Sequence, residues 1–297
     1  EAVIIEKIKN SLRQFDNSLE FHYYPLPGYD DVQAQKIIAD KVTTNYVAFI
    51  ADDDFLIPSG IEQCIEFLDT HPDYVAAHGV GVGISLHSVN VQSIQDVGYF
   101  SQPIISEATA VQRLVTHLAN YMVSLFSVHR IEAWRTMFKN AGDIADRSFV
   151  GELLPCCLSV VLGKIKQLDG LYLIRGYHDR RYLQTAWFKW ITSEAWYPSY
   201  VAFCSHLAEM IARQDKITLE EAKPVVEKAF AVYLALCIQE KPSKWRSIAR
   251  QIPGARTIWS ALKPLHNKYC LSNMLRPSSP YYKDFMPVYK IVTQKIG

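Results

Sequence analysis

The chain has 297 residues, of which 49% are hydrophobic and 21% charged, a composition that is typical of a globular protein and excludes intrinsic disorder. It contains no run of about 18 apolar residues, so no membrane-spanning helix is expected. Its six cysteines have no regular spacing, which argues against a disulfide framework or a zinc site. The formal net charge is +1, but residues 1–240 carry 20 basic and 29 acidic residues, whereas residues 241–297 carry 11 basic residues and one acid.

Helical and strand-like patterns alternate in the first part of the chain. The expected helices are 3–14, 31–43 and 60–69, the last opened by Pro58, and the expected strands are 19–25, 46–51 and 74–79. This alternation predicts an α/β domain with a Rossmann-type, mainly parallel sheet flanked by helices.

The sequence pattern combines helices and strands up to about residue 180 and is helical after it. Residues 107–119, 130–139 and 147–162 have helical patterns, 121–128 a strand pattern, and 165–174 the pattern of a hairpin with an Asp169-Gly170 turn. Helices follow at 184–213 and 218–239, where Thr218 and Glu221 form a capping box. We therefore expect an α/β domain over 1–180 and a helical, basic appendage over 181–297.

Three consecutive aspartates, Asp52, Asp53 and Asp54, follow the most strand-like segment of the chain. In an open parallel sheet, ligands bind where the strands end. Adjacent carboxylates repel one another, and Mg²⁺ or Mn²⁺ held by one or two of them together with a substrate diphosphate relieves that conflict. The alternative is a solvated acidic turn that precedes a helix.

The segment Y-V-A-F-I-A-D-D-D-F-L-I-P-S-G-I resembles the family-2 glycosyltransferases of the GT-A fold, over about residues 5–180. The resemblance implies a metal-dependent, inverting sugar transfer from a nucleotide-diphosphate donor. It implies that Asp52 approaches the donor sugar or ribose and that Asp54 ligates the metal, with Asp52 as a second candidate ligand and Asp53 as a donor contact. Gln35 and Lys36 fall in the region that contacts the nucleotide, although Lys36 also suits a solvated helix.

The chain lacks the first strand of that family and its P-T-Y-N-R-like loop. We therefore expect the first βαβ unit to be missing from this sequence, which begins at Glu1 and has the pattern of the later part of a longer protein.

The same resemblance assigns a catalytic base. Sugar transfer with inversion needs a carboxylate that removes the proton of the acceptor hydroxyl. Glu152 stands at the position of that acid, and Leu153 replaces the second acid of the family's E-D motif. Asp146 is the reserve candidate, and it also suits a helix cap or a partner of Arg147. The alternative for Glu152 is a first-turn acid that stabilises the helix dipole.

A histidine and two arginines follow the last expected strand, in R-G-Y-H-D-R-R-Y. The resemblance makes His178 a candidate metal ligand. Arg180 and Arg181 are candidates for contacts with the donor phosphates, unless Asp179 pairs with them.

The tail between Lys241 and Lys283 mixes nine basic residues with aromatic ones and has no acid. This mixture suits the surface of an anionic membrane and a glycan or lipid-linked acceptor, or pairing with the acidic first domain. No nucleic-acid-binding motif accompanies it. We expect a cytoplasmic protein, with membrane association as one option.

Two other functions fit parts of the pattern. A haloacid-dehalogenase-like phosphatase also places D-x-D after an apolar strand, but Phe55 stands where those enzymes have a small residue. A non-catalytic GT-A-like binding module would explain the missing first βαβ unit.

Overall fold

The structure is a computed structural model and describes residues 2–12, 20–86, 94–100, 102–139, 144–177, 186–238 and 269–293. The helices are α1 (Ala2–Leu12), α2 (Asp31–Lys41), α3 (Pro58–Thr70), α4 (Ala110–Ala119), α5 (Ile131–Phe138), α6 (Leu154–Leu162), α7 (Trp187–Ile191), α8 (Trp196–Asp215), α9 (Leu219–Ile238) and α10 (Tyr282–Thr293). The strands are β1 (Tyr46–Ala48), β2 (Phe55–Leu56), β3 (Tyr74–Leu86), β4 (Ile94–Phe100), β5 (Val128–Arg130) and β6 (Lys164–Tyr177).

In the described ranges the strands form one sheet in the order β1-β5-β3-β6-β2, and β4 pairs with the far part of β3. β5 is antiparallel to both β1 and β3, and β3 is parallel to β6. The strands β1, β3 and β6 therefore run in the same direction, and their carboxyl ends lie toward one edge of the sheet. Sheet and helices together confirm the α/β class.

The expectation of a mainly parallel sheet is wrong. The pair β3–β6 is parallel, whereas β1–β5, β3–β5, β3–β4 and β2–β6 are antiparallel. The sheet is mixed because β5 lies between two strands of equal direction, and because the short β2 turns back along β6. Strand order and direction depend on long-range pairing, which periodicity along the chain does not reveal.

The expected hairpin at 165–174 is also wrong, since β6 is one long strand that runs beside β3. In the register, His78 pairs with Gln167 and Val80 with Leu171, so three residues of β6 oppose Gly79 alone. A β-carbon on Gly79 would lie 2.2 Å from the carbonyl oxygen of Gly170. The Asp-Gly pair thus forms a bulge that increases the local bend of the strand.

Three further expectations differ from the structure at the level of single elements. Residues 20–25, expected as a strand, form no regular element and are mostly exposed, and the strand expected at 46–51 ends at Ala48. The strand expected at 121–128 is displaced to Val128–Arg130, after a turn at 125–126. Strand propensity alone does not decide these segments, because a strand also needs a partner strand and burial.

The helix expected at 147–162 contains one π-helical stretch, Phe149–Leu153, which continues into α6. Pro155 lies in the first turn of α6 and has no N–H to donate to the preceding turn. The π-helical stretch places Glu152 in a segment of widened helix, a feature that is frequent at functional sites.

The largest apolar core joins α4, α5 and α6 to α8 and α9, across the boundary expected near residue 180. Phe149 is fully buried and its ring lies 5.0 Å from that of Trp190 and 5.2 Å from that of Phe203. Burial of one such side chain stabilises the fold by about 1.5–3 kcal/mol. The helices after residue 186 are therefore part of the main core.

The opposite side of the sheet is covered by α3 and by the described part of the C-terminal tail. Successive residues of β3 face opposite sides, so Ala76 belongs to the α4–α9 core and Ala77 to the α3 core. Phe285 and Met274 of the tail pack on β3, β4 and β6, and Ser59 Oγ donates a hydrogen bond to Asp284 Oδ1 at 2.9 Å.

The basic segment 241–268 lies outside the described residues. None of the helices that the structure describes has the length and apolar character needed to cross a bilayer.

Candidate functional site

The three aspartates form a tight turn at the edge where β1 ends. The N–H of Asp54 donates to the carbonyl oxygen of Ala51 at 3.3 Å, and β2 starts at the next residue. Phe55 pairs with Ile174 of β6, and this register puts Asp54 opposite Arg175. The turn thus brings the carboxylates against the carboxyl end of β6.

Asp54 is the buried member of the three, with 7% of the residue exposed. Its Oδ1 accepts a hydrogen bond from the N–H of Gly176 at 3.1 Å, and its Oδ2 lies 3.3 Å from Arg175 Nε. Burial raises the pKa of Asp54, and the charge of Arg175 opposes that rise. Asp52 is exposed and Asp53 is half-buried, so both are more accessible to solvent than Asp54.

The guanidinium of Arg175 lies against an aromatic ring. Its Cζ is 4.2 Å from the ring centroid of Phe126 and 6.0 Å from that of Phe100. A cation over an aromatic face is stabilised by about 0.5–2 kcal/mol. Asp54 and Phe126 together hold the guanidinium in one orientation at the end of β6.

Gly176 is in close contact with the aspartate turn. A β-carbon on Gly176 would lie 2.6 Å from the carbonyl oxygen of Asp53, well inside van der Waals distance. This position requires glycine because the backbone of the turn and the backbone of β6 approach each other directly.

Glu152 lies in the same neighbourhood, since the charge of Arg175 acts on its carboxyl as well as on that of Asp54. Its Oε1 accepts a hydrogen bond from the Tyr121 hydroxyl at 3.0 Å. The side chain keeps contact with solvent, but the surrounding protein raises the pKa of Glu152, and Tyr121, Arg175 and Arg147 oppose that rise. A carboxylate whose pKa is raised is a better proton acceptor near neutral pH.

Arg147 connects this region to α2. Its guanidinium contacts both carboxylate oxygens of Asp31, with Nε 3.0 Å from Oδ1 and a second contact from Nη2 to Oδ2. The contact is bidentate but solvent-exposed, so it contributes at most about 1 kcal/mol to stability.

Asp146, the reserve candidate for the base, is engaged in the fold. Its Oδ1 accepts from the N–H of Ser148 at 2.8 Å, and its Oδ2 accepts from Trp190 Nε1 at 2.8 Å. Both oxygens have a donor, and the backbone N–H of Asp146 donates to Ser199 Oγ. These contacts match the alternative role of a cap before the helix.

Gln35 and Lys36 lie on α2. The Oε1 atom of Gln35 is buried and has no hydrogen-bond partner in the described part of the chain. Lys36 is exposed and lines a hollow between α2 and α5 together with Asp40, Glu132 and Arg135. The lining of that hollow does not include the aspartate turn.

His178, Arg180 and Arg181 lie outside the described residues, so their roles stay predictions. Among the described residues, no group of three or more histidine, cysteine or carboxylate side chains is arranged to hold a metal ion. The chemistry of the turn nevertheless fits Mg²⁺ or Mn²⁺, because Mg²⁺ is bound through one or two carboxylates plus substrate phosphates and water. Asp52 and Asp53 would hold the ion, and Asp54 as a ligand stays a prediction.

Three histidines, His78, His117 and His129, are buried in the fold. His78 lies between the carbonyl oxygens of Gly79 and Pro103, and His129 contacts that of Ser124. Burial lowers the pKa of His117 and of His129 to about 4, so both are neutral at physiological pH.

Sequence reasoning missed Arg175, Gly176 and Tyr121. Arg175 and Gly176 stand in the strand before the expected histidine, where an arginine among apolar residues at the end of a strand was a usable signal. Tyr121 lies 31 residues from Glu152, and no local pattern connects them.

Comparison with known proteins adds no assignment, since no protein-family model and no curated protein matches the chain.

Proposed function

We propose that this protein is a glycosyltransferase of the inverting type, which transfers a sugar from a nucleotide-diphosphate donor to an acceptor hydroxyl. The observation that carries the proposal is the contact of Arg175 with Asp54 of the turn after β1, 3.3 Å from Nε to Oδ2. The charge of Arg175 also acts on the carboxyl of Glu152 in the π-helical stretch. The charge of Arg175 thus acts both at the proposed diphosphate site and on the proposed proton acceptor, Glu152.

In the proposed reaction, Glu152 accepts the proton of the acceptor hydroxyl. Its Oε1 is engaged by Tyr121, so Oε2 is the oxygen that takes the proton. A bond forms between the acceptor oxygen and the anomeric carbon of the sugar. The bond from that carbon to the diphosphate breaks, and the nucleoside diphosphate leaves with the electron pair.

Asp52 and Asp53 would hold Mg²⁺ or Mn²⁺, which stabilises the negative charge of the leaving diphosphate when bound. The remaining contributions come from the chain itself. Arg175 and Gly176 orient Asp54, and Tyr121 orients Glu152. The acceptor, proposed as a glycan or a lipid-linked glycan, has its support in the composition of the basic tail.

Donor binding and turnover test the proposal separately. Binding is measured by calorimetric titration of UDP, GDP and their sugar conjugates into the full chain in the presence of Mn²⁺. Turnover is measured as hydrolysis of the sugar donor, in which water takes the place of the acceptor. Glu152→Gln is expected to bind donor within about twofold of wild type and to lose turnover by about 10²–10⁴-fold. Glu62→Gln, an exposed residue of α3, is the matched control with wild-type values.

Other outcomes would overturn the proposal. A wild-type chain that binds no nucleotide under these conditions contradicts it. Full turnover in Glu152→Gln removes that residue from the mechanism. Nucleotide binding without turnover favours the binding module, and hydrolysis of p-nitrophenyl phosphate that is lost in Asp52→Asn favours the phosphatase.

A further inference from the structure

Arg175 presents one edge of its guanidinium to the site. Its Nε lies 3.3 Å from Asp54 Oδ2, an ion-pair contact that lacks hydrogen-bond geometry, and its Cζ lies 4.2 Å from the ring centroid of Phe126. Within the described ranges, Nη1 and Nη2 have no hydrogen-bond partner, and neither atom is among the buried unpaired ones. The side chain is 26% exposed. Two N–H-bearing nitrogens on one side of a held guanidinium are therefore open to a ligand.

This geometry selects a phosphate-type ligand. A guanidinium forms paired N–H···O bonds with carboxylate or phosphate oxygens, and a fixed orientation reduces the entropy lost on binding. A simple carboxylate ligand is disfavoured because Asp54 already pairs with Arg175 and the charge of Arg175 also acts on Glu152. A diphosphate that arrives with its own divalent cation brings the positive charge that balances these carboxylates.

The same contacts give Asp54 a different task from that of a metal ligand. Its side chain is 1% exposed, and its oxygens face the N–H of Gly176 and Nε of Arg175. A buried carboxylate in this position balances the charge of the arginine and holds its side chain in place. A metal ion at Asp54 would have to displace the guanidinium, whereas one at Asp52 would not.

We propose that Arg175 binds the diphosphate of the donor through Nη1 and Nη2, and that Asp54 is its positioning residue rather than a metal ligand. The inference rests on the proposed function for the identity of the ligand as a nucleotide. The central part of the inference is that Arg175 forms a site for a diphosphate with its divalent cation. This part does not depend on which sugar or nucleobase the donor carries.

Pyrophosphate and nucleotides serve as separate probes: pyrophosphate tests the diphosphate site itself, and the nucleotides test whether its ligand is a nucleotide. Binding of Mn²⁺-pyrophosphate, Mn²⁺-UDP and Mn²⁺-GDP to the full chain is measured by calorimetry. Arg175→Met is expected to weaken every diphosphate that binds wild type by at least about tenfold, and Arg175→Lys to recover part of that loss because charge without bidentate geometry remains. Arg213→Met, an exposed residue of α8, is the control with unchanged affinity.

Metal binding is measured without nucleotide, from the electron paramagnetic resonance signal of free Mn²⁺. Asp54→Asn is expected to keep wild-type Mn²⁺ affinity and to lose diphosphate affinity as Arg175→Met does, whereas Asp52→Asn loses Mn²⁺. Loss of Mn²⁺ binding in Asp54→Asn would overturn the assignment of Asp54. The far-ultraviolet circular dichroism of each variant confirms that it is folded.

The outcomes distinguish this inference from the proposed function. Wild-type binding of pyrophosphate that depends on Arg175, without binding of any nucleotide, keeps the diphosphate site and contradicts the glycosyltransferase. Nucleotide binding that Arg175→Met leaves unchanged contradicts the role of Arg175 alone. A wild-type chain that binds neither ligand overturns both.

Discussion

The hydroxyl of Tyr121 donates a hydrogen bond to Glu152 Oε1 across 3.0 Å, between the loop after α4 and the π-helical stretch before α6. Tyr121 is itself held by ring contacts with His117 and Tyr233, each at 5.1 Å between centroids. Burial raises the pKa of the Tyr121 hydroxyl well above its ordinary value, so it remains a hydrogen-bond donor at neutral pH. The candidate base thus has one carboxylate oxygen fixed by a hydrogen bond.

Replacement of Tyr121 by phenylalanine is expected to raise the pKa of Glu152, because the hydrogen bond stabilises the ionised form and lowers that pKa. A base must be ionised to act, so the acidic limb of the activity profile should move to higher pH. Carbon-13 NMR titration of glutamate-labelled protein reports the shift without any activity assay. Tyr74→Phe, on the far side of the sheet, should leave the titration unchanged, and an unmoved Glu152 signal in Tyr121→Phe would contradict the role of the hydrogen bond.

Glu152→Gln is expected to stabilise the protein at neutral pH. The folded pKa of Glu152 is raised above its ordinary value of 4.5, so folding disfavours the ionised form. The free energy of unfolding is therefore unaffected below the pKa that Glu152 has in the unfolded chain. It falls as the pH rises from that value through the higher pKa of the folded state. Urea midpoints should therefore coincide for the two proteins near pH 4 and favour the glutamine variant at pH 7.5.

The control for this comparison is Glu62→Gln, which should show no such change with pH. An equal difference between wild type and Glu152→Gln at both pH values would indicate a packing effect and not a titration.

Gly176→Ala is expected to displace the aspartate turn, because its β-carbon would meet the Asp53 carbonyl oxygen at 2.6 Å. Overpacking of this kind costs about 1–3 kcal/mol, measurable by urea denaturation, and diphosphate affinity should fall with it. Gly98→Ala in β4 is the matched strand control, since a β-carbon there has no atom within 4 Å. Equal stability of the two variants would show that the turn can move without cost.

Arg113→Met is expected to destabilise the fold by about 3 kcal/mol, since it leaves buried carbonyl groups without a donor. Arg113 donates to the carbonyl oxygens of Val160 and Val161 at the end of α6, at 2.7 and 2.8 Å, and to those of Glu107 and Ala108 before α4. The exposed Arg213→Met should change stability by less than about 0.5 kcal/mol. Similar urea midpoints for both variants would contradict a structural role for Arg113.

Local features of the chain could be predicted from the sequence. Thr218 and Glu221 form the expected capping box, with Thr218 N–H donating to Glu221 Oε2 at 2.8 Å and Glu221 N–H to Thr218 Oγ at 3.2 Å. Pro58 begins α3 as expected. These features depend on hydrogen bonds and backbone preferences within one turn of helix, and the residues concerned are neighbours in the sequence.

The candidate site could be predicted only in part. The aspartates were identified because an acidic turn after an apolar strand has a local signature, and Glu152 because of a family resemblance. The burial of Asp54 and its contact with an arginine 121 positions further along the chain have no such signature. They follow from the pairing of Phe55 with Ile174, a register that is set by the packing of β2 and β6.

The sequence by itself therefore determined the α/β class, the position of the acidic turn and the approximate extent of most helices, because each of these follows from short-range propensity and periodicity. The helix expected at 184–213 is divided into α7 and α8. The tertiary structure decided the directions of the strands, the continuity of β6 through Asp169-Gly170, the contact of Asp54 with Arg175 and that of Glu152 with Tyr121. The physical reason is that strand pairing is selected by burial and hydrogen bonding across the whole sheet, and a change of register by one residue would turn every side chain to the other face.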